Sequence, residues 1–72
     1  MTPGEIKACR EACGMTQAQW AAALGYRLDP RGMRQQAYSL ETGHKAITPQ
    51  VARLAEMYRR FGVPPELAVR AS

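Results

Sequence analysis

"TQAQWAAALGYRLDPRGMRQQAYSLETG", residues 16–43, decides how this chain folds. The first third is short and closes on Gly25. Ala21, Ala22 and Ala23 carry little bulk, so another helix can approach closely on that side. The last half puts Met33, Ala37 and Leu40 at helical spacing, with long polar side chains between them: Arg31, Arg34, Gln35 and Gln36. A helix this basic and amide-rich is either a solvated surface or a face displayed to an anionic partner.

Outside this stretch the punctuation is regular. Thr2-Pro3, Asp29-Pro30 and Thr48-Pro49 each set a capping oxygen before a proline. Proline suits the first helical position because its missing N–H leaves nothing unpaired, and it pushes the preceding residue toward the extended shape of an N-cap. Thr2/Glu5 and Thr16/Gln19 have the spacing of capping boxes. Gly14, Gly25, Gly43 and Gly62 each follow a helical run and mark its stop. These signals predict helices near 3–13, 17–24, 30–42 and 49–61, with the tail from Pro65 either a short fifth helix or frayed. No stretch alternates as a strand does.

Each helix carries one apolar stripe: Ile6, Cys9 and Cys13; Trp20, Ala21 and Leu24; Met33, Ala37 and Leu40; Val51, Leu54, Ala55, Tyr58 and Phe61. Trp20 and Phe61 are the bulkiest candidates for the centre. The expected fold is all-α, a compact four- or five-helix bundle, with residues 1–62 as the domain and 63–72 as its tail.

Seventy-two residues make one domain with a small core. Nearly half of them are apolar, so the chain should fold. No apolar run nears the ~20 residues of a membrane span and no charged-then-apolar leader is visible, so a soluble, cytoplasmic protein is expected. The net charge of +4 is localised: residues 26–60 hold seven basic side chains against three acidic ones, while both flanks are neutral. A basic middle favours nucleic acid, although ordinary solubility explains so modest a charge as well. Cys9 and Cys13 sit one turn apart and read as reduced, small core residues. His44 is the sole histidine, too few ligands for a metal site, and no cofactor motif is present.

Two short helices, the second polar on its outer face, are the layout of a helix-turn-helix. "GMTQAQWAAALG", "MRQQAYSLETG" and "ITPQVARLAEMYRRFG" together resemble the Cro/phage-repressor (Xre) helix-turn-helix family, whose pattern runs G-apolar-T-Q-x-x-L-A-x-x-L-G before a recognition helix ending in apolar-E-x-G. Gly14, Met15, Thr16, Gln17, Ala21, Leu24 and Gly25 match, with Trp20 in the usual leucine slot; Ala37, Leu40, Glu41 and Gly43 match later. The resemblance covers roughly residues 5–62 and is nearest to short single-domain regulators of phages and mobile elements, anti-CRISPR-associated repressors among them.

The resemblance implies a lambda-repressor-like DNA-binding domain. Arg34 and Gln35 fall on the family's first base-reading positions and Ser39 on a later one; Gln17, His44 and Lys45 fall where the family meets phosphate; Arg10 and Glu41 match a structural ion pair. The residues support these roles on their own chemistry. Arginine can clamp guanine O6 and N7, and glutamine adenine N6 and N7, each with two hydrogen bonds. Arg31, Arg34, Gln35, Tyr38 and Thr42 form one helical ridge, with Gln36 beside it and Tyr38 able to touch a thymine methyl or a phosphate. Thr16 and Gln17 open a helix, where N–H groups favour phosphate, and Arg27 adds a charge nearby.

One departure stands out. The family joins its two helices by about three residues; here seven lie between Gly25 and Met33. Either the recognition helix starts early, capped by Asp29 with Pro30 at its first position, or a loop is inserted; the early start is favoured because the cap-plus-proline signal is used twice elsewhere, at Thr2-Pro3 and Thr48-Pro49. Gly32 speaks against the early start, since glycine inside a helix costs ~1 kcal/mol relative to alanine.

The expected function is a sequence-specific DNA-binding repressor acting as a homodimer on an inverted repeat, with Met57, Phe61, Val63, Leu67 and Val69 as the dimer surface. The rival reading is an antitoxin-type module that caps a toxin and autoregulates its operon. RNA binding is disfavoured because the aromatics read as internal. An enzyme is disfavoured by the lack of any nucleophile–base set.

Overall fold

The computed structural model describes residues 1–68. The described residues form an all-α bundle of five helices: α1 (Pro3–Ala12), α2 (Gln17–Ala23), α3 (Pro30–Thr42), α4 (Pro49–Phe61) and α5 (Pro65–Ala68). All three cap-plus-proline signals start helices. Thr2, Asp29 and Thr48 are extended N-caps whose side chains accept the N–H of Glu5, Gly32 and Val51 respectively. Both capping boxes are closed, Thr2 with Glu5 and Thr16 with Gln19. α1 and α2 end one residue earlier than the apolar pattern predicts, at the caps Cys13 and Leu24. Gly43, at φ 83°, ends α3 in the left-handed region that residues with a Cβ avoid.

The third helix starts early, as favoured: α3 begins at Pro30 behind the Asp29 cap. The structure also explains Gly32. A Cβ there would stand 2.8 Å from Asp29 Oδ1 and 3.0 Å from Leu28 Cβ, so a larger residue would press on the cap side chain and on Leu28.

Trp20, Ile6 and Leu40 are the large side chains fully enclosed at the centre, joined by Cys9, Met33, Ala37, Ala55 and Tyr58. Ala21 is fully buried, and α2 packs more extensively on α3 than on any other helix, as its alanines allow. The Trp20 and Tyr58 rings meet edge to face, centroids 6.0 Å apart. Tyr58 Oη donates to the Ala23 carbonyl at 2.6 Å, which pins α4 to the end of α2. The indole N–H of Trp20 has no acceptor among the described residues. Such a group costs about 1–3 kcal/mol, which the enclosed ring must offset by packing. Both cysteines are free; Cys9 is buried and Cys13 half-buried, its thiol donating to the Tyr58 carbonyl.

Phe61 is not in the centre: it is 78% exposed. It is the last residue of α4, and Gly62 turns the chain immediately afterwards. Val63 and Leu67 pack on the core in its place, with α5 lying against α2. No helix among the described residues is long and apolar enough to cross a membrane.

Candidate nucleic-acid interface

The candidate face begins with a scaffold. Arg10 reaches from α1 to α3 and clamps Glu41 with two hydrogen bonds, Nε to Oε2 at 2.8 Å and Nη2 to Oε1 at 3.2 Å. Arg10 Nη1 donates to the Met15 carbonyl, which fixes the α1–α2 corner. Gln17 Nε2 donates to Glu41 Oε1 at 3.4 Å. The start of α2 is thereby tied to the end of α3, and Glu41 is a brace rather than a reader.

Above this brace, Gln17, Arg31, Arg34, Gln35 and Tyr38 line one open groove of about 320 Å³. The four α3 residues are exposed, at spacings of three and four that put them on one side of the helix. Among the described residues the Glu41 carboxylate is engaged by Arg10, and neither Arg31 nor Arg34 makes a salt bridge. Two unneutralised guanidiniums, two amides and a phenol on a helix ridge can donate to base edges or phosphates in several directions.

The remaining candidates fall elsewhere. Gln36 is half-buried on the flank of α3, where its carbonyl oxygen accepts from Lys45 Nζ. Lys45 also lies 4.5 Å from the centre of the Tyr26 ring, a cation–π contact. Its backbone N–H donates to the Ser39 carbonyl, so the loop after α3 is docked on the helix. Ser39 is half-buried at that junction. Tyr26 is the residue sequence reasoning missed. Its signal was an aromatic directly behind a helix-ending glycine, with a cation available to sit on it.

Thr42 is drawn off the ridge by a hydrogen bond from its hydroxyl to the Tyr38 carbonyl at 2.8 Å. That hydroxyl proton being used, the 2.7 Å contact between Thr42 Oγ1 and His44 Nδ1 has the imidazole donating. His44 is exposed and its Nε2 is the acceptor of the neutral ring. Thr16 uses its N–H and its hydroxyl oxygen on Gln19, keeping only the hydroxyl proton for an anion. Arg27 belongs to a different depression, with Tyr26, Tyr58 and Leu67, and does not join the Gln17 groove.

Of the proposed dimer residues, Met57 and Phe61 are exposed, whereas Val63 and Leu67 are half-buried against the chain's own core. Val69 lies outside the described residues. No protein-family model, no curated protein and no solved structure matches this chain.

Proposed function

We propose that this chain is a sequence-specific DNA-binding transcriptional regulator of the Cro/phage-repressor helix-turn-helix kind, not an enzyme. The observation that supports it is the groove between α2 and α3, where Gln17 meets Arg31, Arg34, Gln35 and Tyr38. Here α3 is the recognition helix entering the major groove: Arg31, Arg34 and Gln35 contact base edges, while Gln17 and Lys45 hold phosphates. The Arg10–Glu41 clamp joins α1 to α3, and Gln17 donates to the same carboxylate from α2, so α2 and α3 are held in fixed relation, as reading a groove requires.

A molecule 26 Å across presents one such helix to one turn of duplex. Successive major-groove faces are ~34 Å apart, so two copies occupy an inverted repeat and act in the cytoplasm by blocking a promoter. Exposed Met57 and Phe61 supply the apolar start of a two-fold contact. The test is a footprint on the DNA upstream of the chain's own gene, with a mobility-shift comparison of that duplex against single-stranded RNA. A symmetric protected site and preference for duplex are expected. Equal affinity for random duplex and single-stranded RNA would overturn the reading.

A further inference from the structure

Leu28 precedes the cap of α3 and is half exposed. A lone exposed leucine on a small protein needs no explanation. This one is different in two respects. It is braced: a Cβ at Gly32 would stand 3.0 Å from Leu28 Cβ and 3.3 Å from Leu28 Cδ1, so the side chain lies directly on the first turn of α3. It also stands at the leading end of α3, on the flank of the first turn where Gly32 lies, next to Arg31 of the ridge. The seven-residue joint therefore adds an apolar knob beside the leading end of the polar ridge.

The chemistry of that end limits what the knob can meet. Pro30 has no N–H, and the Asp29 carboxylate accepts the Gly32 N–H at 2.8 Å, so the tip of α3 itself offers Leu28 rather than backbone donors. In the major groove the apolar feature of a base edge is the C5-methyl of thymine. Resting on the DNA-binding reading above, we infer that Leu28 is a specificity-determining residue whose methyl groups contact a thymine methyl, and that Gly32 is glycine to let it lie there.

The test uses the full chain and a duplex selected by it from a randomised pool. Thymines are replaced one at a time by deoxyuridine, which removes the methyl and leaves the pairing edge intact. One thymine in each half-site should lose about fourfold in affinity on replacement, the worth of one buried methyl. Leu28→Ala and Leu28→Gln should weaken the thymine duplex by a similar factor and bind the deoxyuridine duplex equally well at that position, with other thymines unaffected. Circular-dichroism melting is run on both variants; Leu28→Gln, polar at an exposed site, holds the fold. A Leu28→Gln protein that still prefers thymine at every position overturns the inference, as does a wild-type chain indifferent to all replacements. Failure to select any consensus overturns the DNA-binding reading itself, and this inference with it.

Discussion

Arg10 and Glu41 lie 31 residues apart and form a two-pronged ion pair, with the Glu41 side chain 4% and the Arg10 side chain 15% exposed. Planar guanidinium against carboxylate is the geometry in which arginine cannot be exchanged for lysine without loss. Removing one partner strands the other charge, which is the expensive way to break a pair. Glu41→Ala should therefore destabilise the fold by about 2–3 kcal/mol, a large share of what so small a domain has. The midpoint of urea unfolding reads this directly, and a shift worth less than about 0.5 kcal/mol, the range of an ordinary surface change, would contradict it.

Gly32→Ala tests the cap from the opposite direction. Inside an ordinary helix that change gains about 1 kcal/mol. Here the new Cβ would press on Asp29 Oδ1 and Leu28 Cβ, atoms held by the cap. An aspartate cap contributes about 1 kcal/mol, enough to cancel that gain, so with the crowding of Leu28 added the protein should melt no higher, and slightly lower. Asp29→Ala should cost the cap contribution itself, and the double variant less than the sum, because both changes damage one contact. A higher melting temperature for Gly32→Ala would show that the cap yields freely.

Local rules made much of this fold legible. Every cap-plus-proline start and every glycine stop is a short-range device, readable over three or four residues. Gly32 counted against the early start for the same reason, and the cap-plus-proline signal outweighed it: helix propensity counts a missing Cβ as a cost, and only the folded cap shows that a Cβ would crowd Asp29 and Leu28. Phe61 misled because a helical stripe gives the direction of a side chain and not the extent of the partner surface, which ends before it. The ridge of Arg31, Arg34, Gln35 and Tyr38 follows from spacing within one helix. The placement of Lys45 on Tyr26 and Gln36, and of Arg27 beside Leu67, depends on how two loops return to the bundle, which spacing does not encode.

Burial pushes the Tyr58 phenol above its ordinary value, and burial together with the neighbouring Cys9 does the same to the Cys13 thiol. Both groups are neutral in the folded chain and ionise more readily once it unfolds. Their stabilising contribution is thus complete below the ordinary thiol and phenol range and is lost as pH rises through the raised folded values. Tyr58→Phe should cost about 1–2 kcal/mol at neutral pH, by leaving the Ala23 carbonyl unpaired, and should flatten the alkaline decline. Unfolding curves of both proteins from neutral to alkaline pH check the sign; a steeper decline in the variant would refute it.

Arg34 and Lys45 should separate base reading from phosphate binding. Arg34 stands free in the groove with no salt bridge among the described residues, so its two parallel donors remain available to guanine. Arg34→Ala should cost about 1–3 kcal/mol on the preferred duplex and much less on random duplex, narrowing the gap between them. Lys45 is a point charge that Gln36 and Tyr26 hold in place. Lys45→Ala should weaken all duplexes alike and lower the slope of log affinity against log salt by about 1. Tyr26→Leu keeps the lysine but frees it, so it should reduce affinity uniformly while leaving the salt slope near the wild-type value. Titrations of the three variants on selected and random duplex, at several salt concentrations, measure both quantities. Identical losses for Arg34→Ala on the two duplexes would remove it from the readers, and an unchanged salt slope for Lys45→Ala would remove the lysine from the phosphate contacts.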